Sequence, residues 1–507
     1  MDRQPQQQQP PQGQSPPLDI LILAAGLGTR MRSSTAKVLH KLGGRPLITH
    51  VCRTASALVK GERPVYVVVG HQAEEVKAAV RSELGEGGAV FVTQTEQRGT
   101  GDAVFAAREA LAAAGSTLLV LSGDVPLVRA ETLGSLVHQH RTHRGRGAAC
   151  TLMAVRLEDP TGYGRVVRDE EGRFQKIVEQ KDATPEERQI GEVNAGIYCF
   201  ETRLLFPALE RVRPENAQGE FYLTDVPAIL RADGEDVSVY AHTDAREVSG
   251  INTRAELADF ERILRLRTLR SLMLNSGVTV IDPQHTYVGP DAQIGRDTTL
   301  HPNVHVEGRT VIGEGCEVMQ GSRIVDSRVG NGVTVKDHCL VVESEISDHC
   351  TVGPFAHLRM NARMDEGSTV GNFVEMKKSR LGSKSKAMHL TYLGDADVGE
   401  RTNIGAGTVT CNYDGKNKHQ TTIEHDVKIG SDTMLVAPVR VGARAVTAAG
   451  SVVTEDVAPD TLVAGVPAKV KKRLARADEA ADAPAPEAKS DEAGEPVTAA
   501  TTTGDER

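Results

Sequence analysis

Tryptophan is absent from the 507 residues, and phenylalanine and tyrosine bring the aromatic content to only 3%. So few flat rings leave little on which bases or sugars could stack. No stretch of about 18 apolar residues occurs, so no segment reads as membrane-spanning. The N-terminus, MDRQPQQQQPPQGQSPP, lacks the apolar core of a secretory signal. The seven cysteines are an odd number, widely spaced, with no CxxC pair. That argues against a disulfide scaffold and a zinc site, and fits a reducing cytoplasm. A broad basic surface is also missing. The net charge is −9, and Asp478 to Arg507 alone carries nine acids against two bases. The remainder is near neutral, which disfavours binding to nucleic acid over the whole molecule.

What is present falls into blocks. Residues 1–17 are rich in Gln and Pro, and the tail 473–507 in Ala, Glu, Asp, Pro and Thr; both compositions predict disorder. From 18 to 252, short apolar runs (Asp19–Ala24, Val65–Val69, Leu118–Leu121) alternate with helix-period segments (Ala73–Leu84, Asp102–Ala114). Buried strands alternating with helices predict an α/β domain with a mostly parallel, Rossmann-like sheet. The segment 253–275 reads as a linker helix.

From 276 to 472 the pattern changes. An aliphatic residue recurs every six positions: Val288, Ile294, Leu300, Val306, Ile312, Val318, Ile324. After a one-residue slip the series resumes at Val329, Val335, Val341, and after another at Ile346, Val352, Leu358, Met364, Val370, Met376. Later members are Val398, Ile404, Ile423, Ile429, Leu435 and Val441. Neither a helix nor a flat strand has period six. A hexapeptide array predicts a parallel β-helix, three hexapeptides to a coil, with slips at corners or loops.

Two groups of residues carry chemistry. The first follows the opening strand: LAAGLGTRMRSSTAK (23–37). Gly26 and Gly28 let backbone N–H groups approach phosphate, and Arg30 and Lys37 can neutralise a phosphoryl group. The loop is neither GxxxxGK[ST] nor a full GxGxxG, so a P-loop and a dinucleotide fold are disfavoured. Asp124, directly after a buried strand, is placed to bind Mg²⁺, with Asn252 offering a second oxygen. Gln94, Gln97, Gly99 and Thr100 suit the edge of a base. Gly164, Glu179 and Asn194 could line a sugar pocket. Taken singly, each is also an ordinary loop. The second group centres on His389, in SKAMHLTYL (385–393), read as a break in the rhythm and hence a loop. Arg359, Lys377, Lys378, Lys386 and Lys418 form a cationic set suited to a sugar phosphate, and Asn412-Tyr413-Asp414 interrupts the next repeat.

The ordered string LAAGLGTRM…K, GTGDA, SGDVPL, TGYGR, IVEQKDA, NAGIY and GIN resembles the sugar-1-phosphate nucleotidyltransferases. Followed by NFVEMKKSRLG, KAMHLTYLGDADVG and NIGAGTVTCNYDGKNKH, it resembles a bacterial family. These are the bifunctional N-acetylglucosamine-1-phosphate uridylyltransferase / glucosamine-1-phosphate N-acetyltransferases. The likeness runs from Leu18 to Val470. It implies a left-handed β-helix and synthesis of UDP-N-acetylglucosamine, a cell-envelope precursor. It implies UTP and N-acetylglucosamine-1-phosphate at Leu23, Ala24, Gly26, Lys37, Gln94, Gly99, Thr100, Gly164, Glu179, Asn194 and Asn252, with Arg30 and Lys37 catalytic. Mg²⁺ falls to Asp124 and Asn252. His389 becomes the general base of acetyl transfer, oriented by Glu375. Glucosamine-1-phosphate is assigned to Arg359, Lys377, Tyr392, Asn403 and Lys418, and acetyl-CoA to Asn412, Tyr413, Ser431 and Ala449. A cytoplasmic homotrimer is implied, with no nucleic-acid or membrane partner. The chain departs from the family pattern at Leu27, commonly Lys, at Ala36, commonly Pro, and near Gly465 and Lys469, where the cation for the CoA phosphate is not obvious. The alternative is a monofunctional nucleotidyltransferase whose β-helix serves assembly or regulation.

Overall fold

The computed structural model describes residues 17–26, 28–111 and 117–474. The Gln/Pro-rich arm except its last residue, Leu27, the end of the segment Asp102–Ala114 and nearly all of the acidic tail lie outside the described residues. The chain divides into two compact units: residues up to 292 with 306–308, and 293–305 with 309 onward.

The first unit is built on a sheet of β1 (Leu18–Ala24), β2 (Val65–Val69), β3 (Ala89–Thr93), β4 (Thr117–Ser122), β5 (Cys150–Arg156), β6 (Arg165–Arg168), β7 (Phe174–Val178), β8 (Glu192–Glu201) and β9 (Val237–His242). The order is β9-β5-β8-β4-β1-β2-β3, with β6 and β7 paired beside β8. β1 is parallel to β2 and β4, whereas β8 runs antiparallel to β4 and β5. β1 and β4 are largely apolar because both faces are covered; the buried exception, Asp19, pairs with Arg63 at 2.6 Å. Ile20 and Ile22 face one core, with Val51 and Leu119; Leu21 faces the other, with Leu118 and Phe200. The helix Ala73–Leu84 has its predicted bounds. The helix predicted from Asp102 instead covers Thr100–Ala106.

The helix Arg254–Asn275 starts at a capping box. Thr253 Oγ1 accepts from the Glu256 N–H, and the Glu256 carboxylate accepts from the Thr253 N–H. Such a box satisfies helix-start donors that would otherwise be orphaned. The same carboxylate accepts from the Asn252 N–H at 2.5 Å, so the helix cap also places Asn252.

The second unit is a parallel β-helix. Successive strands belong to three parallel sheets in rotation, until the last strand, Lys469–Arg473, turns back antiparallel to Thr461–Ala464. One inward column runs Leu300, Val318, Val335, Val352, Val370, Ala387, Ile404, Ile429. The aliphatic residues of the period-six series are all buried. The slips are tight corners: Asp326 and Glu343 adopt φ of 45° and 47°. The segment around His389 is not the predicted loop. Ala387 takes the aliphatic slot between Leu381 and Leu393, so Lys386–His389 and Tyr392–Gly394 are regular strands. Sequence inspection missed this because Ala was not counted as aliphatic. The interruption read at Asn412-Tyr413-Asp414 is an insertion between the strands Val409–Cys411 and Thr421–Ile423.

Candidate active sites

The glycine-rich loop leaves β1 beside the end of β4. Gly28 has φ 62°, and a Cβ there would stand 2.5 Å from the Lys37 Cβ, so only glycine lets the two segments close up. Lys37 Nζ donates to Asp124 Oδ2 and, at 3.2 Å, to Asn252 Oδ1. Arg30 Nη2 donates to the same Asn252 oxygen at 2.8 Å. A Cβ at Gly250 would be 3.1 Å from Asp124 Oδ2, and the Ile251 N–H donates to the Asp124 carbonyl at 3.0 Å, which holds the Gly250-Ile251-Asn252 turn against Asp124. Four residues distant in sequence therefore meet at one point. Asp124 and Asn252 each turn an oxygen to one cation, here the lysine ammonium. Two hard oxygens suit a small divalent ion that also takes phosphate and water oxygens. Among the described residues no group of three or more His, Cys, Asp or Glu forms a metal cluster, so such an ion would depend on substrate oxygens.

A cavity of about 440 Å³ opens here, lined by Leu23, Ala24, Gly26, Lys37, Gln94, Gly99, Thr100 and Asp124 among others. Gln97 also lines it and donates to the Ala25 carbonyl at 2.7 Å. Ser122 and Glu220, which the sequence reading did not single out, complete the wall. Ala36 keeps a donor that proline would lack: its N–H bonds Gln72 Oε1 at 2.6 Å.

Gly164, Glu179 and Asn194 gather separately, Gly164 just before β6, Glu179 just after β7 and Asn194 on β8. The Asn194 N–H donates to the Gly164 carbonyl at 2.9 Å, and a Cβ at Gly164 would lie 3.1 Å from Glu179 Oε1. Asn194 Nδ2 donates to the Tyr198 hydroxyl at 2.6 Å across an irregularity in β8. Burial pushes the Glu179 carboxyl up from its ordinary range, against a hydrogen bond from Thr224. Gly196, in that irregularity, faces Ser122 and thereby joins this cluster to the cavity.

On the β-helix, His389 is exposed. Its Nδ1 bonds Asn372 Oδ1 at 2.7 Å. An amide oxygen only accepts, so in the neutral ring the proton sits on Nδ1 and the lone pair on Nε2. Glu375, the expected partner, instead pairs with Arg359 at 2.6 Å. Asn372 was missed because 17 residues separate it from His389. That interval is one coil, and Asn372 and His389 are register partners on adjacent strands. Extending the register brings Ala406, Ser431 and Ala449 onto the same corner column. Arg359, Lys377 and Tyr392 occupy the next sheet, where Arg359 is register partner of Lys377, and Glu375 of Tyr392. The Lys418 ammonium beside Lys377 lowers the latter's pKa, as like charges must. Asn403 pairs with Lys386 on the His389 side of the corner. Asn412 is drawn away, with Nδ2 on Asp395 Oδ2 at 2.5 Å, and the Tyr413 hydroxyl donates to the Gly415 carbonyl. Asp414, held far below the usual carboxylate range by His419 and two backbone N–H groups, braces this loop.

Residues 20–245 match the Nucleotidyl transferase family model, and 279–379 match the GMPPB C-terminal domain. The bifunctional protein GlmU of Pelobacter propionicus is 48% identical over 442 residues, 87% of this chain and 94% of that protein. That of Syntrophomonas wolfei is 45% identical over 88% and 96%, and that of Halalkalibacterium halodurans 46% over 87% and 94%. The chain belongs to the bifunctional GlmU family. As a GlmU-family protein it is a bifunctional enzyme of UDP-N-acetylglucosamine synthesis, a uridylyltransferase and an acetyltransferase in one polypeptide. Its substrates are sugar phosphates and nucleotides, and its nucleotidyl transfer calls for a divalent metal. Among the described residues, no helix is long and apolar enough to cross a membrane.

Proposed function

We propose that the chain first acetylates glucosamine-1-phosphate with acetyl-CoA on the β-helix. It then transfers UMP from UTP to N-acetylglucosamine-1-phosphate at the Lys37–Asp124 site, releasing pyrophosphate. The convergence of Arg30, Lys37, Asp124 and Asn252 beside the Gly26–Gly28 loop carries the uridylyl assignment. A phosphate oxygen of the sugar attacks the α-phosphorus of UTP, and the bond to the bridging oxygen of pyrophosphate breaks. The nucleophile is already ionised, so the chain supplies charge and orientation rather than a base. Arg30 and Lys37 neutralise phosphate charge, and the backbone at Leu23, Ala24 and Gly26 cradles the triphosphate. Gln94, Gly99 and Thr100 hold the uracil, and Gly164, Glu179 and Asn194 the acetylated sugar. Asp124 and Asn252 would hold Mg²⁺, which supplies further charge neutralisation on the phosphates.

For acetyl transfer, Arg359, Lys377, Tyr392, Asn403 and Lys418 bind glucosamine-1-phosphate. The sugar ammonium first releases one proton to solvent; the neutral amine then attacks the thioester carbonyl carbon while His389 Nε2 takes the nitrogen's surplus proton. The C–S bond breaks, and the CoA thiolate recovers the proton from the imidazolium. Ser431 and Ala449, on the His389 column, lie along the acetyl-CoA path, with Asn412 and Tyr413 at its edge.

The acetyltransferase site is completed in a homotrimer. Phe355, Phe373 and Leu390 are 48%, 56% and 63% exposed, and the Phe355 and Phe373 rings stack at 5.3 Å. Phe373 follows Asn372 and Leu390 follows His389, so an apolar stripe runs beside the proposed base, fitting a neighbouring copy. All seven cysteines are free, which supports a reducing, cytoplasmic setting.

A paired assay tests the two sites. His389→Ala should abolish N-acetylglucosamine-1-phosphate formation and leave UDP-N-acetylglucosamine formation intact. Asp124→Ala should do the reverse. Mass spectrometry reads both products, and loss of both activities in a trimeric, folded His389→Ala protein would contradict two separate sites.

A further inference from the structure

We propose that Asp102 is a positioning residue that sets the pyrimidine specificity of the uridylyl site by orienting Gln94. This rests on the uridylyl reading above. Gln94 is 6% exposed and lines the cavity. Its Nε2 donates to Asp102 Oδ2 at 2.8 Å and to the Gly99 carbonyl at 3.3 Å. A carboxylate and a carbonyl both only accept, so the amide cannot turn over without facing two acceptors with an oxygen. Both amide hydrogens are thereby engaged, and only the carbonyl oxygen remains for a ligand.

The two acceptors are themselves held. Arg98 Nη2 donates to the other Asp102 oxygen at 2.8 Å, and the Arg98 guanidinium lies over the Phe221 ring at 5.7 Å. The Phe221 N–H donates to the Arg98 carbonyl and the Gly101 N–H to the Phe221 carbonyl, both at 2.8 Å. A Cβ at Gly99 would stand 2.6 Å from the Phe221 carbonyl oxygen, so the segment is clamped.

A lone acceptor matches uracil, whose N3 carries a hydrogen. Cytosine presents a lone pair at N3, which meets the Gln94 oxygen without a proton between them. A site built around one hydrogen bond rejects the ligand that leaves it unpaired. Asp102→Asn removes the closer of the two acceptors and leaves only the Gly99 carbonyl at 3.3 Å, because an amide can face Gln94 with either its donor or its acceptor. Gln94 can then rotate and offer N–H to cytosine.

The measurement is kcat/KM for UTP and for CTP on one preparation, with N-acetylglucosamine-1-phosphate and Mg²⁺, so the active fraction cancels in the ratio. Asp102→Asn should lower the UTP-to-CTP ratio by about tenfold, the effect of a hydrogen bond worth about 1.4 kcal/mol. Adding Gln94→Glu should restore it, since a carboxylate accepts from the introduced asparagine amide and still offers an oxygen to N3–H. Asp102→Ser supplies a second reading should the first variant turn over neither nucleotide. An unchanged ratio overturns the proposal, as does loss of both nucleotides in both variants, which would make Asp102 structural. Wild-type enzyme showing no preference for UTP would instead overturn the uridylyl reading.

Discussion

At the scale of single residues, one oxygen decides what a neighbouring group can do. His389 is exposed, and its proton can sit on either ring nitrogen unless something fixes the tautomer. The Asn372 amide oxygen does so from one coil away. Asn372→Leu should lower kcat for acetyl transfer by about tenfold or more, part of what a positioned base contributes. The affinity for glucosamine-1-phosphate should stay the same, because Asn372 is not among its ligands. Asn372→Asp keeps an acceptor on Nδ1 and adds a negative charge that favours the imidazolium. Most activity should return, with the acid limb of the kcat profile moved to higher pH. Steady-state kinetics across pH separate the cases, and a wild-type profile in both variants would remove Asn372 from the mechanism. Neither Asn372 nor the Asp102–Gln94 contact could be read from a motif, since each pairing is a matter of which strand or turn lies alongside.

At the scale of elements, the β-helix is stapled along a corner by charge as well as filled by aliphatics. Arg401 Nε and Nη2 bond the two Asp426 oxygens at 2.8 and 2.9 Å, and His425 Nδ1 lies 2.8 Å from the same carboxylate. The next two coils repeat the device with Arg444 and Asp460. Arg401, and after it His425, hold Asp426 down at a pKa of about 2. An unfolded aspartate titrates near 3.9, so the folded state binds its proton less readily than the unfolded chain. Its contribution is therefore complete above about pH 4 and is lost as the pH falls toward 2. Asp426→Asn should lower the melting temperature at neutral pH and do so progressively less below pH ~4. Calorimetry at several pH values reads this, and an offset that does not change with pH would refute it. The period-six pattern made this element legible without coordinates, because most inward positions of a narrow prism are filled by aliphatics. Ala387 escaped because a small residue in one slot imitates a break, whereas the insertion after Cys411 was legible from Asn412-Tyr413-Asp414 interrupting the rhythm.

At the scale of the whole molecule, the exposed stripe of Phe355, Phe373 and Leu390 is costly to leave in water. Phe373→Glu puts a charge into it. Light scattering should then report monomers, with acetyl transfer lost and uridylyl transfer kept. A trimeric, fully active variant would place the subunit contact elsewhere. This experiment also separates assembly from chemistry, because Phe373 is assigned no contact with either substrate.

The order of residues along the chain was enough to specify the class of each half, since alternating buried strands and a hexapeptide rhythm are one-dimensional consequences of covered faces and a threefold coil. It also singled out Lys37, Asp124, Asn252 and His389, because glycine loops, carboxylates at strand ends and a histidine among cations are local patterns. The partners of those residues came from the folded arrangement alone. It set Arg30 and Lys37 on one Asn252 oxygen, gave His389 to Asn372 while Glu375 went to Arg359, and faced the Gln94 amide with Asp102. Hydrogen bonds of this kind reach about 3 Å and depend on direction, so they exist only once strands lie in register and turns are closed.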